Sequence, residues 1–272
     1  QNPDSSGAAA YQSAAGVWAR YFGASGSVSP DASHNNFGPG GSNNFDQDFS
    51  GWELGVGYAF NEQWAAGLLG GTSDSTLKPD AGGRTNINGD TFGAYVTYTP
   101  GNGFYADLSY RGMSFDGNAT GAQSQFGFNG DANGFSLEMG YGYKTSNGMI
   151  IEPQFQYSAV SVDMDTIVYN NSDFILNDGD SSLLRLGAAL RKSYKTSGGY
   201  YWTPYGAISY LDELDGANSY VIGGLLDGDV DTSGGSALLE AGVSGVINKF
   251  GYSLGLNWRD GGAYDSVFGG QV

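Results

Sequence analysis

Two groups of residues in this sequence could take part in chemistry. His34 is the only histidine and follows Asp31 in a polar stretch, and an Asp–His pair can act as a general base in hydrolysis. The segment 227–231 reads Asp-Gly-Asp-Val-Asp and groups the oxygen ligands that calcium prefers. However, no GxSxG elbow accompanies the histidine, and the acidic segment lacks the glutamate that closes an EF-hand loop. We therefore predict no catalytic residue, no metal site and no cofactor, with calcium binding in the acidic loops left open.

Composition excludes several other classes of function. The chain has 272 residues, 47 of them glycine, and no cysteine, so it has neither a disulfide framework nor a cysteine-based metal site. Its formal net charge of −17 disfavours nucleic acid as a partner, because a phosphate backbone needs a basic surface. No apolar run approaches the ~18 residues of a transmembrane helix.

The most regular pattern in the chain runs from Gly134 to Ala159 and has a period of two. Apolar and aromatic residues occupy one face of both arms, polar and charged residues the other, and the turn 145–148 contains Asn-Gly. These features predict a long antiparallel hairpin. Each arm has about ten alternating residues, the length of a tilted strand that crosses a bilayer. A charged face opposite an aromatic face is typical of a membrane barrel with lipid outside and water inside.

The same alternation recurs from Gly16 to the end of the chain. It indicates twelve strands, namely an opening strand, five hairpins with short turns, and a final strand. The polar stretches between them are predicted to be loops, at 29–48, 73–84, 116–122, 163–182 and 212–235. Short turns on one side and long loops on the other are typical of outer-membrane barrels, with the turns in the periplasm. We predict an all-β fold, a 12-stranded antiparallel transmembrane β-barrel that occupies residues 16–272.

The charged residues of the predicted strands share the inward face. A charge that faces lipid costs about 2–4 kcal/mol, so we predict that these side chains line a wet pore. They are Arg20, Glu53, Asp107, Arg111, Glu138, Glu152, Arg185, Arg191, Glu240 and Arg259. The aromatic residues beside the short turns are predicted to form a girdle at one membrane interface. They are Tyr58, Phe60, Trp64, Tyr98, Phe104, Tyr141, Tyr143, Tyr201, Trp202, Phe250 and Tyr252.

An ordered set of segments resembles a known family. The set includes VWARYFG at 17–23, GWELGVGYAF at 51–60, LRLGAALRKSY at 184–194 and YSLGLNWR at 252–259, and it extends over nearly the whole chain. Each segment alone is weak evidence for a family because the strands of different barrels look alike, but the order of the whole set is specific. The set resembles the translocator β-domain of autotransporters, the type V secretion family.

The resemblance implies a non-enzymatic function in protein transport to the cell surface. The barrel would lie in the bilayer of the Gram-negative outer membrane, inserted by the barrel-assembly machinery after delivery by periplasmic chaperones. It would support export of the chain's own N-terminal passenger domain. Residues 1–15 occupy the position of the linker, which is implied to form a helix in the pore and to plug it after export. Composition alone favours a disordered terminal tail for these residues.

Other interpretations stay open at this point. The chain could be a free-standing porin or adhesin barrel without a passenger, or an outer-membrane hydrolase that uses His34. Some relatives of this family cut their own linker at an Asn, but here Asn2 precedes Pro3 and no luminal acid can be assigned to the reaction. Relatives also end in a strand with a terminal aromatic residue. Because this sequence stops at Val272, we predict that the last strand closes against the first over a short distance.

Overall fold

A computed structural model describes residues 15–31, 43–121, 125–169, 172–176, 179–196, 198–224, 226–247 and 250–272. Residues 1–14 and His34, which carry two of the interpretations above, lie outside this part of the chain. The described residues form strands and turns, and they include no helix long and apolar enough to cross a membrane. The strands are β1 (Ala15–Val28), β2 (Phe45–Ala59), β3 (Trp64–Pro79), β4 (Arg84–Tyr98), β5 (Phe104–Thr120), β6 (Gln125–Tyr141), β7 (Tyr143–Lys144), β8 (Met149–Met164), β9 (Ile167–Tyr169), β10 (Ser172–Leu176), β11 (Ser181–Lys192), β12 (Tyr194–Lys195), β13 (Tyr201–Asp215), β14 (Ala217–Ile222), β15 (Leu226–Asp231), β16 (Gly234–Ile247), β17 (Phe250–Gly261) and β18 (Tyr264–Gln271).

Twelve of these strands close into one antiparallel ring. Its order is β1-β2-β3-β4-β5-β6-β8-β11-β13-β16-β17-β18, and β18 pairs with β1. The two-residue strands β7 and β12 continue β6 and β11 and pair with β8 and β13. The predicted 12-stranded antiparallel barrel is therefore confirmed. We call the end that holds the short connections 60–63, 99–103, 145–148 and 196–200 the turn end, and the opposite end the loop end.

The two faces of each strand differ in the way that a bilayer requires. In β2 the apolar side chains point outward, and Leu54 is 53% exposed, whereas the neighbouring Glu53 is only 4% exposed. A water-soluble protein would bury the leucine and expose the glutamate. In a barrel surrounded by hydrocarbon the exposed apolar face contacts lipid, and the polar face lies against the interior. Burial therefore alternates along each strand as the sequence does, but the apolar face is the exposed one and the polar face is the buried one, the reverse of a water-soluble protein.

Exposed aromatic residues form two belts around the barrel. The predicted girdle lies at the turn end, where neighbouring rings contact each other, as between Trp64 and Tyr98 with centroids 4.4 Å apart. The structure adds a second belt at the opposite edge of the apolar band, which the sequence analysis missed. Its members are Tyr21, Trp52, Phe92, Tyr110, Phe135, Tyr210 and Phe268, all exposed. Aromatic rings at both interfaces are typical of proteins that span a bilayer.

Four of the five predicted loops, 73–84, 116–122, 163–182 and 212–235, are largely strands, and that part of the prediction was wrong; most of 29–48 lies outside the described residues. Strand β3 continues to Pro79 and β4 begins at Arg84, although 73–84 was expected to be a loop. The polar residues of this stretch begin where the strands leave the bilayer. The backbone hydrogen bonds between β3 and β4 continue beyond that point, in water. Side chains reinforce it, since Asp48 accepts hydrogen bonds from Lys78 at 2.8 Å and Ser25 at 2.7 Å. Those two contacts, with the one to Lys78 dominant, hold the pKa of the Asp48 carboxyl below its usual value.

Two predicted loops combine into a second, smaller sheet. Stretch 163–182 supplies β9 and β10, stretch 212–235 supplies β14 and β15, and the four strands pair in the order β15-β14-β10-β9. Phe174 stacks on Tyr220 across the pairing of β10 with β14, with ring centroids 5.3 Å apart. An isolated bridge between Asp31 and Asp231 connects this sheet to the chain that follows β1. The loop end therefore carries ordered β-structure of its own.

The closure between the first and last strands is short. Strand β18 pairs with β1 from Phe22 to Val28, and two backbone hydrogen bonds of 2.8 and 2.9 Å join Tyr21 to Val272. Between Ala15 and Arg20, β1 is paired only with β2 in the described residues. The seam is thus formed over the loop-end half of β1.

Adjacent glycines in β3 lie on opposite faces of the wall. A Cβ atom added at Gly71 on the inner face would lie 2.2 Å from the Trp52 carbonyl oxygen and 2.9 Å from Cγ of Glu53. A Cβ atom at Gly70 would find its nearest neighbour, the Thr91 carbonyl oxygen, at 3.6 Å. Only the inner position therefore requires the absence of a side chain, because real Cβ atoms do not approach the backbone so closely.

We expect Gly71→Ala to destabilise the barrel by about 1–3 kcal/mol, because β2 and β3 must shift apart. The matched control Gly70→Ala should change the stability by less than ~0.5 kcal/mol. Urea unfolding in detergent micelles, followed by the heat-modifiable migration of folded barrels in gels, measures both. Equal unfolding midpoints for the two variants would contradict the close approach at Gly71.

Candidate functional site

The charged residues of the inner wall assemble into ion-paired groups. The first group is centred on Glu53, which contacts Arg20 at 2.5 Å and Arg111 at 3.2 Å. Arg20 is the direct cross-strand partner of Glu53, whereas Arg111 lies on β5, three strands away in the ring. The cross-strand neighbour of Glu53 on β3 is Gly71, and that of Arg111 on β4 is Gly93. Neither glycine has a side chain that would stand between the arginine and the carboxylate. The long arginine can therefore lie along the wall and reach the carboxylate.

The second group is centred on Arg185, whose side chain is 7% exposed. Its guanidinium contacts Glu138 on β6 at 3.2 Å and Glu240 on β16 at 3.4 Å. Each of these strands is separated from β11 by one intervening strand, so the arginine spans five adjacent strands of the ring. Burying a charge without a partner costs several kcal/mol, and here two carboxylates offset that cost.

Hydrogen bonds extend the second group towards the turn end. The Tyr105 hydroxyl donates to Glu138 at 2.8 Å and accepts a hydrogen bond from the Gln154 amide at 3.3 Å. The same amide donates to Glu152 at 3.0 Å, and Glu152 contacts Arg191 at 2.7 Å. The continuous chain consists of Arg191, Glu152, Gln154, Tyr105, Glu138, Arg185 and Glu240. We call these seven residues the inner polar chain.

The remaining two predicted residues stand outside both groups. Asp107 accepts a hydrogen bond from the Thr97 hydroxyl on the adjacent strand. The Arg259 guanidinium donates to Ser236 at 2.8 Å and stacks over the Tyr264 ring at 3.5 Å from its centroid. All ten predicted residues thus contact other side chains of the wall. That they line an open pore stays a prediction.

Sequence reasoning missed three members of the inner wall. Tyr105 and Gln154, which connect charged residues on different strands, were not among the ten residues predicted to line the interior. Glu213 was assigned to a loop, whereas it continues β13, is 6% exposed and accepts a hydrogen bond from Ser181 at 2.8 Å. The period of two through Ser209, Leu211 and Glu213 could have identified it.

The arrangement does not resemble a catalytic centre. Each carboxylate of the inner polar chain accepts hydrogen bonds from an arginine, and a general acid or base needs a proton that can be exchanged. Among the residues that the structure describes, no group of three or more His, Asp or Glu is arranged to hold a metal ion. The His34 hypothesis lies outside the described residues, so the geometry does not bear on it.

Buried arginine donors remain available on this wall. Nε of Arg20 and Nε of Arg185 are inaccessible to solvent and have no hydrogen-bond partner among the described residues, and the same holds for Nη2 of Arg259. Buried donors are almost always paired in folded proteins. The inner wall can therefore donate additional hydrogen bonds to carbonyl or side-chain oxygens inside the barrel when the side chains that cover these N–H groups move aside.

Comparison with known proteins identifies the family. The Autotransporter beta-domain model matches residues 17–259. The chain is 30% identical over 221 residues to the pertactin autotransporter of Bordetella parapertussis, which covers 77% of this chain and 24% of that protein. The pertactin autotransporter of Bordetella bronchiseptica matches at the same identity and coverage. The chain thus spans about a quarter of the length of these curated relatives.

Solved structures agree on the fold. The beta domain of the Bordetella autotransporter BrkA matches with a TM-score of 0.73 at 20% identity, over 95% of this chain and 98% of that one. The transport unit of the autotransporter AIDA-I from Escherichia coli matches with a TM-score of 0.68 at 15% identity, over 94% of this chain and 88% of that one. The predicted resemblance and the predicted location in the Gram-negative outer membrane are confirmed. The chain belongs to the autotransporter beta-domain family.

Proposed function

We propose that this barrel supports export of an N-terminal passenger domain to the cell surface. The observation that carries the proposal is the position of Ala15, which pairs with Tyr58 at the turn end of the barrel. The chain upstream of β1 therefore meets the barrel at the end that faces the periplasm in outer-membrane barrels. In the loop-end half of the barrel all neighbouring strands are hydrogen-bonded around the ring, including β18 with β1 from Phe22 to Val28, so the route from this position to the cell surface leads through the interior.

Residues 1–15 serve as the linker and, after export, as a plug inside the barrel. This segment contains two Gln, one Asn, one Asp and three Ser, which offer side-chain oxygens as acceptors. A segment in the lumen that displaces the covering side chains would offer such acceptors to the buried Nε–H donors of Arg20 and Arg185. Residues 16–272 form the barrel domain. The pore-lining role of the ten charged residues belongs to the same proposal.

Assembly of the barrel requires help before the ring closes. Each open strand edge presents unpaired backbone groups, which aggregate in water and are costly in lipid. The partners we propose are periplasmic chaperones and the barrel-assembly machinery, followed by the bilayer of the outer membrane. The function requires no cofactor and no catalytic turnover of the barrel's own.

A reporter domain fused upstream of Gln1, behind a secretion signal, tests the export function. We expect the reporter to become accessible to protease added to intact cells. A signal-bearing reporter without the barrel should remain protected in the periplasm and serves as the control. A protected reporter in cells whose barrel is folded and inserted would contradict export and favour a free-standing porin or adhesin barrel.

Deletion of residues 1–14 tests the plug while it keeps the pairing of Ala15. We expect the single-channel conductance in planar bilayers to rise, because a helix about 10 Å wide would no longer occupy the lumen. A variant in which Gly and Ser replace these residues at equal length is the matched control. Its conductance should lie between those of the unmodified chain and the deletion, because the replaced segment still occupies volume in the pore but makes no specific contacts. Unchanged conductance on deletion would count against the plug.

The proposed passage also needs a wall that keeps its shape. Substitutions at the Arg185–Glu138 pair test how much this ion pair contributes to the stability of the wall. Arg185→Met leaves two carboxylates without their buried cation and should cost about 3–5 kcal/mol of stability. Combining it with Glu138→Gln should cost less than the sum of the single changes, with a coupling of about 1–3 kcal/mol. The exposed pair of Lys78 and Asp48 is the control, and Lys78→Met should cost less than ~1 kcal/mol. If the free-energy changes of the two single substitutions simply add in urea unfolding, the Arg185–Glu138 pair does not stabilise the wall.

A further inference from the structure

Charge is distributed unevenly between the two ends of the barrel. The chain has a formal net charge of −17, and most of its aspartates lie at the loop end. At the turn end the sign reverses in one sector, where Lys144, Lys192 and Lys195 lie on β7, β11 and β12. The carboxylate nearest to them along these strands, Glu152 on β8, forms its ion pair with Arg191 on the inner wall. The turn-end connections between β2 and β3 and between β4 and β5 contain no basic residue. The sector is therefore a basic surface on an acidic protein.

The three lysines of this sector have no carboxylate partner. Among the described residues the only ion pair formed by a lysine is that of Lys78 with Asp48, at the loop end. Lys192 instead places its ammonium group 5.6 Å from the centroid of the Tyr194 ring. Contact with a ring does not neutralise the charge of an ammonium group, and it leaves N–H donors that can bind an anion. The basic surface thus retains the charge and the donors that an anionic ligand needs.

Lys192 lies on the outward face, at the level of the aromatic girdle. Leu190, two residues earlier on β11, shares this face and is exposed to lipid. Tyr194 and Trp202 are cross-strand partners, and their exposed rings stack with centroids 5.0 Å apart. Girdle rings of membrane proteins lie at the height of the lipid headgroups. The anions that Lys192 meets at this height are the phosphates of the membrane.

The wall on the membrane side of this lysine has a shallow recess. Gly206 on β13 is the cross-strand neighbour of Leu190, and Ala241 on β16 is the next residue in the same row. A Cβ atom added at Gly206 would have its nearest neighbour, the Glu240 carbonyl oxygen, at 3.7 Å. Two small outward residues side by side therefore leave space for an acyl chain directly below the basic surface.

We propose that this surface binds an anionic phospholipid of the leaflet at the turn end. The phosphate accepts hydrogen bonds from the Lys192 ammonium group and from the Trp202 indole N–H, and one acyl chain follows Gly206 and Ala241 into the bilayer. A zwitterionic headgroup fits less well, because the lysines repel its ammonium group and the sector offers it no unpaired carboxylate among the described residues. The site depends on the position of the barrel in the membrane and not on the export function.

Competition between two lipids on the full chain tests the site. Phosphatidylglycerol and phosphatidylethanolamine share the phosphate and the acyl chains, but only the first has a net negative charge. Native mass spectrometry of the folded barrel from mixed micelles should show preferential retention of phosphatidylglycerol. Lys192→Gln should reduce this preference roughly fivefold, the factor that one lysine contributes near an anionic membrane surface. Lys78→Gln, the same change at the loop end, is the matched control and should leave the preference unchanged. Equal retention of both lipids by the unmodified chain would overturn the proposal.

A second lysine separates a specific contact from the general charge of the turn end. Lys144→Gln removes the same charge from the same sector, but Lys144 continues the inward face of β6 and does not reach the headgroup. It should reduce the preference by less than about twofold, because solvent and salt screen charges that are not in contact. Equal effects of Lys144→Gln and Lys192→Gln would show that the lipid responds to net charge alone, against the assigned contact.

Steric variants test the path of the acyl chain without changing any charge. Gly206→Leu fills the recess and should reduce retention of phosphatidylglycerol at least as strongly as Lys192→Gln. Ala241→Leu fills the same recess from the next strand and gives a second reading. Gly70→Leu is the control, since Gly70 also faces outward with open space but lies on β3. Heat-modifiable migration in gels shows that each variant is folded. Unchanged retention in both recess variants, or an equal loss with Gly70→Leu, would contradict the site.

Discussion

Hydrogen bonding of the backbone in a medium without water is the constraint on which this structure depends. A peptide group left unpaired in hydrocarbon costs several kcal/mol, so each strand of a membrane sheet needs a neighbour on both edges. Twelve strands meet that need by closing into a ring in which β18 returns to β1, except from Ala15 to Arg20, where β1 is paired only with β2 among the described residues. Closure turns one face of each strand towards lipid and the other towards the interior. The exposed Leu54 beside the buried Glu53 follows from this geometry alone.

The closed ring creates an electrostatic problem that the inner wall solves locally. Five acidic and five basic side chains of the predicted set must fit into a narrow interior, where an unpaired charge is costly. Long arginines span several strands to reach carboxylates, as Arg185 does between Glu138 and Glu240. Inner-face glycines such as Gly71 permit the same reach in the Glu53 group. The glycine-rich composition and the charged inner face are thus parts of one solution.

The alternation of the sequence was sufficient to predict the strand number, the inward residues and the turn-end girdle. It was not sufficient to predict which charges meet, because a period of two defines the face of a side chain and not its partner three strands away. Arg111 and Glu53 are such a pair, and they lie 58 residues apart in sequence. Polarity also led to a wrong prediction of a loop at 73–84, because Asp, Ser and Asn there indicate contact with water and not the absence of a strand. In water a hairpin remains stable when its neighbours continue beside it, as β2 and β5 do here.

Paired charges also suit the wall of a passage for an unfolded chain. A wall with many uncompensated charges of one sign would hold segments of the opposite sign and repel others, since unscreened Coulomb energies at low dielectric reach several kcal/mol. Carboxylates that already bind arginines present little net field to a passing segment. The unpaired groups on this wall include the buried Nε–H donors of Arg20 and Arg185, whose charge is already balanced by their ion pairs with glutamates. Carbonyl oxygens are acceptors that every polypeptide carries, so in the export that we propose these donors would not select for a particular passenger sequence.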